Sequence, residues 1–122
     1  MKLGIVGSRR RNLPKDKELI RQKIIELKPD SLVSGGCRRG ADRFAEELAI
    51  ELHLPIEIFR PNLKGNPTPT RYDMIKAFYA RNRQVAAASN YLIALVAPDR
   101  KGGTEHTIGV FNRLHRWDCE IL

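Results

Sequence analysis

Residues 31–42, SLVSGGCRRGAD, combine a short apolar strand, a glycine-rich turn and the start of a helix. The apolar run predicts a strand over 31–34 that ends at Gly35 and Gly36. Apolar residues then recur at the spacing of one helical face, which predicts a helix over 41–52. A strand, a tight glycine turn and a helix in succession are typical of one unit of a parallel α/β sheet.

The same alternation extends in both directions along the chain. Further strands are predicted over 2–6, 55–59, 91–96 and 118–122, and further helices over 14–27, 70–89 and 103–114. Thr70 with Asp73 three residues on resembles a capping box at the start of the third helix. The run 91–96 is continuously apolar, which suits a strand covered on both faces. We therefore expect an α/β fold, with a parallel sheet of about five strands and helices on both faces, in a single domain over 1–122.

Composition favours a small globular protein with anionic partners. The chain has 122 residues, 42% of them hydrophobic, and 22 Lys+Arg against 14 Asp+Glu give a net charge of +8. We expect no membrane span and a cytoplasmic protein, because no apolar run is long enough for a bilayer or a signal peptide. Cys37 and Cys119 match no metal-ligand spacing, so we expect reduced thiols, no metal and no cofactor.

Three loops at the predicted carboxyl ends of strands pair glycine with cations. They are L1 (residues 7–11, GSRRR), L2 (35–40, GGCRRG) and L3 (100–104, RKGGT). Glycine lets backbone N–H groups approach an anion, arginine offers a fork of donors, and L2 and L3 also open helices. No loop has the GxGxxG or Walker A pattern. The three loops together predict one phosphate-binding site.

With these motifs placed, the chain resembles the SLOG superfamily, which includes the Lonely Guy enzymes and DNA-processing protein A. The motifs are Gly7-Ser8-Arg9, Ser34-Gly35-Gly36, Arg39-Gly40-Ala41-Asp42, Arg81-Asn82 and Gly102-Gly103-Thr104. The resemblance implies a Rossmann-like fold and a nucleotide or phosphoribosyl ligand. It places at the ligand Gly7, Ser8, Arg9, Gly35, Gly36, Arg39, Gly40, Asp42, Gly102, Gly103 and Thr104, with Arg81 and Asn82 reaching in from the long helix.

The sequence departs from the Lonely Guy pattern at the catalytic position. Those enzymes carry PGGxGTxxE, whose glutamate helps to cleave an N-glycosidic bond, but here Thr107 falls at that position and Glu105 is displaced by two residues. Glu105 and Asp42 are the catalytic candidates, although Asp42 also suits the start of a helix. Carboxylates at helix starts are expected to ionise easily and to be poor general acids. For His106 the expectation is a surface position.

Three functions stay open from the sequence. The first is a sensor or binding module for a nucleotide or phosphorylated nucleoside, which binds without rapid turnover. The second is a nucleoside 5′-monophosphate N-glycosidase, and the third is a single-stranded nucleic-acid-binding protein like DNA-processing protein A. Tyr72, Phe78 and Tyr79 are expected to pack in the core or at an interface rather than to stack a base. A homodimer or higher homo-oligomer is one expectation, since related enzymes commonly pair through helices.

Overall fold

The computed structural model describes residues 1–115 and 118–122. Five strands alternate with four helices in this part of the chain. The elements are β1 (Lys2–Gly7), α1 (Pro14–Leu27), β2 (Ser31–Ser34), α2 (Ala41–Glu51), β3 (Ile56–Ile58), α3 (Arg71–Ala88), β4 (Tyr91–Leu95), α4 (Gly103–His115) and β5 (Cys119–Ile121). Every predicted element is present, with each end within one residue of its prediction.

The strands form one parallel sheet in the order β3-β2-β1-β4-β5. β1 lies at its centre, paired with β2 on one side and with β4 on the other, where Gly7 is opposite Leu95. After β3 at one edge the chain crosses β1 to form β4, so the strand order reverses between β1 and β4. The predicted α/β, Rossmann-like class is confirmed, and ligands of such sheets bind outside the carboxyl ends of the strands at this reversal.

Hydrophobic cores cover both faces of the sheet. α1 and α2 contribute Ile20, Ile24, Phe44 and Leu48 to one core, and α3 and α4 contribute Val85, Ala86, Ile108 and Phe111 to the other. Residues 92–95 of β4 are fully buried and alternate between the two cores. This burial on both faces is what the continuous apolar run predicted.

α3 begins at the predicted capping box and packs mainly through its second half. The N–H of Asp73 donates to Thr70 Oγ1 at 3.1 Å, and the N–H of Thr70 donates to Asp73 Oδ2 at 3.0 Å. Its buried residues are Asn82, Val85 and Ala86. The start of this packed half lies at the carboxyl edge of the sheet, where Arg81 donates to the Gly35 carbonyl, and α3 then runs toward the amino end of β1, where Ser89 lies against Gly4. None of the helices in 1–115 is long and apolar enough to cross a membrane.

Candidate functional site

A cavity of about 340 Å³ lies where L1, L2 and L3 meet, at the reversal between β1 and β4. α3 closes it from the side. The residues that line it are Val6, Gly7, Ser8, Arg9, Arg10, Gly35, Cys37, Asp42, Arg81, Asn82, Val85, Lys101, Gly102, Gly103, Thr104 and Thr107. Ten of the thirteen residues predicted to contact a ligand are among them. The exceptions are Gly36, Arg39 and Gly40.

Gly36 and Gly40 shape L2 instead of lining the cavity. Both have positive φ, of 72° and 69°. A Cβ on Gly40 would lie 2.9 Å from the carbonyl oxygen of Ser8, so L2 passes directly against L1 there. The Gly40 N–H donates at 2.8 Å to Oδ1 of Asn12, the residue that follows L1. The third exception, Arg39, is exposed to solvent.

The structure adds six lining residues that the sequence interpretation left out. Arg10 and Lys101 belong to L1 and L3, and the pairing of glycine with cations in those loops could have predicted them. Cys37 lies in L2, and Thr107 lies one turn into α4. The remaining two, Val6 and Val85, form apolar wall and have no pattern that separates them from other core residues.

Arg10 joins L1 to L3 across the reversal in strand order. Its guanidinium donates to both oxygens of Asp99, with Nη2 2.6 Å from Oδ1 and Nη1 3.2 Å from Oδ2. The hydrogen bond from Arg10 lowers the pKa of the Asp99 carboxyl. Because both side chains are exposed, we expect this ion pair to contribute little to the free energy of unfolding.

Asp42 corrects the expectation that a carboxyl at a helix start ionises easily. Burial raises its pKa above the ordinary value, and this outweighs the opposing effects of the Cys37 N–H and the Arg81 guanidinium. Its Oδ2 accepts from the N–H of Cys37 at 3.0 Å. Within residues 1–115 and 118–122, Asp42 is the only acid that lines the cavity. L2 lies against this carboxyl through the Cys37 N–H, and the accompanying burial cannot be predicted from a position at a helix start.

The other catalytic candidate, Glu105, lies outside the cavity lining. Its carboxylate accepts from Arg100, with Nε at 2.9 Å from Oε2 and Nη2 at 2.8 Å from Oε1. Thr107, at the position of the Lonely Guy glutamate, does line the cavity and donates from Oγ1 to the Gly103 carbonyl at 3.3 Å. The position that would carry a carboxylate in that family is thus occupied by a hydroxyl.

Arg81 and Asn82 enter the cavity from α3, as the resemblance implied. Arg81 donates from Nη1 to the Gly35 carbonyl and from Nε to Asn82 Oδ1, the latter at 2.9 Å. Asn82 Nδ2 lies 3.4 Å from the Gly103 carbonyl and 3.2 Å from His106 Nδ1. The two side chains therefore connect L2 to the first turn of α4. Burial lowers the pKa of Arg81 from its ordinary value.

His106 is partly exposed, in line with the expected surface position, but it also has an aromatic partner that the sequence did not indicate. Its ring is half-buried and stacks on Tyr79, with 3.9 Å between ring centroids and 13° between planes. Tyr72 is 71% exposed, so of the two expected positions the core is excluded for it and an interface stays a prediction. Phe78 is half-buried, and the guanidinium carbon of Arg81 lies 5.8 Å from its ring centroid. None of these four aromatic side chains lines the described cavity.

Comparison of the chain with protein-family models, curated proteins and solved structures gives no match. The fold defines a Rossmann-like α/β protein with a polar cavity at the carboxyl edge of its sheet. The SLOG resemblance stays a prediction from the motifs. Among the residues that the structure describes, no group of three His, Cys, Asp or Glu side chains is arranged to hold a metal ion.

Proposed function

We propose that this protein binds a nucleotide or phosphorylated nucleoside as a sensor or binding module, and that it belongs to the SLOG superfamily. The observation that carries the binding proposal is the start of α4. Gly102, Gly103 and Thr104 line the cavity there, where the first N–H groups of a helix have no acceptor within the helix.

Cations surround this helix start. Arg9, Arg10, Arg81 and Lys101 line the same cavity. Arg10 is neutralised by Asp99, whereas Arg9 and Lys101 have no ion pair in the described part of the chain. Backbone donors at a helix start with unpaired cations beside them favour an anion such as phosphate. We place the phosphate at L3.

L2 is suited to the other end of the ligand. Its N–H donor at Cys37 already bonds to Asp42, so this backbone is less available to a phosphate. Asp42 is instead suited to accept from, or donate to, a hydroxyl or base nitrogen of the ligand. A cavity of about 340 Å³ is at the small end of ligand sites, which favours a mononucleotide over a dinucleotide.

A thermal-shift screen against nucleotides tests the proposal. A ligand that binds only the folded protein raises the melting temperature. Arg9→Gln removes a cavity cation, and Arg38→Gln removes an exposed L2 cation outside the cavity lining, so the two variants are matched in charge. We expect a mononucleotide to stabilise the wild type and Arg38→Gln, and to stabilise Arg9→Gln less. Equal increases in melting temperature in the two variants would show that the nucleotide is held only by nonspecific attraction to a basic protein.

Asp42 is the observation that favours the second candidate, the N-glycosidase. Hydrolysis breaks the bond between the anomeric carbon and the base, with water supplying the hydroxyl to the sugar and a proton to the base. A carboxyl with a raised pKa in the cavity is suited to carry that proton. We still place binding first, since Thr107 supplies no second carboxylate at the family position.

Incubation with AMP, GMP, CMP and UMP, followed by chromatography for free base, distinguishes the two candidates. We expect no rapid release. Release that is lost in Asp42→Asn would make the protein an enzyme that uses the cavity acid. Release of free base that is lost in Glu105→Ala would instead show that Glu105 is the catalytic acid.

A further inference from the structure

A chain of polar contacts runs from the cavity into the interface between α3 and α4. Arg81 Nε donates to Asn82 Oδ1 at 2.9 Å, and Asn82 Nδ2 lies 3.2 Å from His106 Nδ1. The His106 ring stacks on Tyr79 at 3.9 Å. His106 does not line the cavity, but it contacts Asn82, which does, and Asn82 in turn holds the lining residue Arg81.

The donors and acceptors in this chain can be assigned from Arg81 outward. A guanidinium only donates, so the Asn82 atom that faces Arg81 Nε must be the carbonyl oxygen. The amide NH₂ of Asn82 therefore points to His106, whose Nδ1 must accept. An imidazole that accepts at Nδ1 is neutral and carries its hydrogen on Nε2.

We propose that His106 is a positioning residue of the cavity, whose neutral ring fixes the Asn82 amide and, through it, the guanidinium of Arg81. Its relevance to ligand binding rests on the proposed function. Arg81 uses Nε for Asn82 and one Nη1 hydrogen for the Gly35 carbonyl, which leaves three of its five N–H groups for a ligand. Orientation of those groups is what His106 contributes.

Protonation of His106 disrupts this arrangement. A hydrogen on Nδ1 faces the Asn82 NH₂ group, and rotation of the amide to avoid that conflict turns the NH₂ group toward Arg81, another donor. His106 stacks on the uncharged Tyr79 ring and interacts electrostatically with two cations, Arg83 on α3 and Arg113 on α4. Burial, together with these arginines, lowers the pKa of His106, so the positioning form is present above that pKa and is lost as pH falls through it.

Two substitutions separate the acceptor from the ring. His106→Asn places an amide oxygen near the position of Nδ1 and does not titrate, but it loses the stack on Tyr79. His106→Phe keeps a ring on Tyr79 and removes the acceptor. A purely structural role through stacking would make His106→Asn the more damaging change, whereas the positioning role makes His106→Phe the more damaging one.

The first measurement needs no ligand. NMR reports the tautomer of His106 from its ring nitrogens and the rate of hydrogen exchange at the Arg81 Nε–H. We expect the Nε2–H tautomer at neutral pH, and exchange about fivefold faster in His106→Phe than in wild type, the effect of one lost hydrogen bond. Acidification should accelerate exchange in wild type relative to His106→Asn at the same pH. A hydrogen on Nδ1 at neutral pH, or equal exchange in wild type and His106→Phe, would overturn the proposal.

The second measurement uses AMP and inorganic sulfate as probes, and sulfate does not titrate in this pH range. We expect His106→Phe to weaken both about fivefold at neutral pH and His106→Asn to weaken them less, in line with one hydrogen bond. Failure of the wild type to bind either probe would overturn the proposed function, while the exchange data would still decide the role of His106. Equal binding by wild type and His106→Phe would refute positioning toward the ligand.

Discussion

Gly40 is where L2 passes directly against L1, so its replacement by alanine tests how the two loops of the cavity are held together. Its φ of 69° and ψ of −146° lie in a region that residues with a side chain avoid, at a cost of about 1–3 kcal/mol. The new Cβ would also lie 2.9 Å from the Ser8 carbonyl oxygen, a backbone atom that cannot rotate away. Overpacking adds about 1–3 kcal/mol, so we expect Gly40→Ala to lower the free energy of unfolding by about 2–6 kcal/mol.

Gly65→Ala is the matched control, measured with Gly40→Ala by urea denaturation. Gly65 also has a positive φ, of 79°, but nothing lies within 4 Å of the Cβ that the substitution would add. Gly65→Ala should therefore lower the free energy of unfolding only by the cost of a side chain at positive φ, about 1–2 kcal/mol. If the two variants lose equal stability, close contact between L1 and L2 is not what requires glycine at position 40.

Three further perturbations test other parts of the molecule. Asp16→Asn should lower the free energy of unfolding by about 1.5–3 kcal/mol in urea denaturation, because Asp16 is 1% exposed and accepts a charged hydrogen bond from Arg11 Nε at 2.9 Å. No loss would mean that the pair makes no net contribution to stability. The Asp42 carboxyl should titrate by NMR with a midpoint above 3.8, since burial raises its pKa, and a midpoint at or below 3.8 would contradict this. Because the folded pKa is the higher one, the protonated carboxyl contributes its full stability below the unfolded pKa, and this contribution is lost as pH rises through the folded pKa. Single-stranded DNA should bind weakly and with strong salt dependence in fluorescence anisotropy, and the double variant Arg38→Gln with Arg39→Gln should reduce the salt slope by about 1.4. Submicromolar binding at physiological salt would instead place nucleic-acid binding first.

The elements of this protein and the edge of the sheet that carries its loops could be predicted from the sequence. Periodicity is local, so the apolar run of β4, the Thr70 capping box and the strand–glycine–helix units are readable from neighbouring residues. Parallel strands bring their carboxyl ends to one edge, so the convergence of L1, L2 and L3 followed from the alternation alone. The order of the strands, which places β4 beside β1, did not follow from it.

Only the tertiary structure decided the environments of the individual side chains. Burial raises the pKa of Asp42, an ion pair turns Glu105 toward Arg100, and stacking on Tyr79 holds His106 between helices. Each of these depends on how closely segments distant in sequence approach one another, and on how much water they exclude. Hydrogen bonding and desolvation change over a few tenths of a nanometre, a scale that sequence spacing does not specify, and this is why residue types predicted a site while packing determined its chemistry.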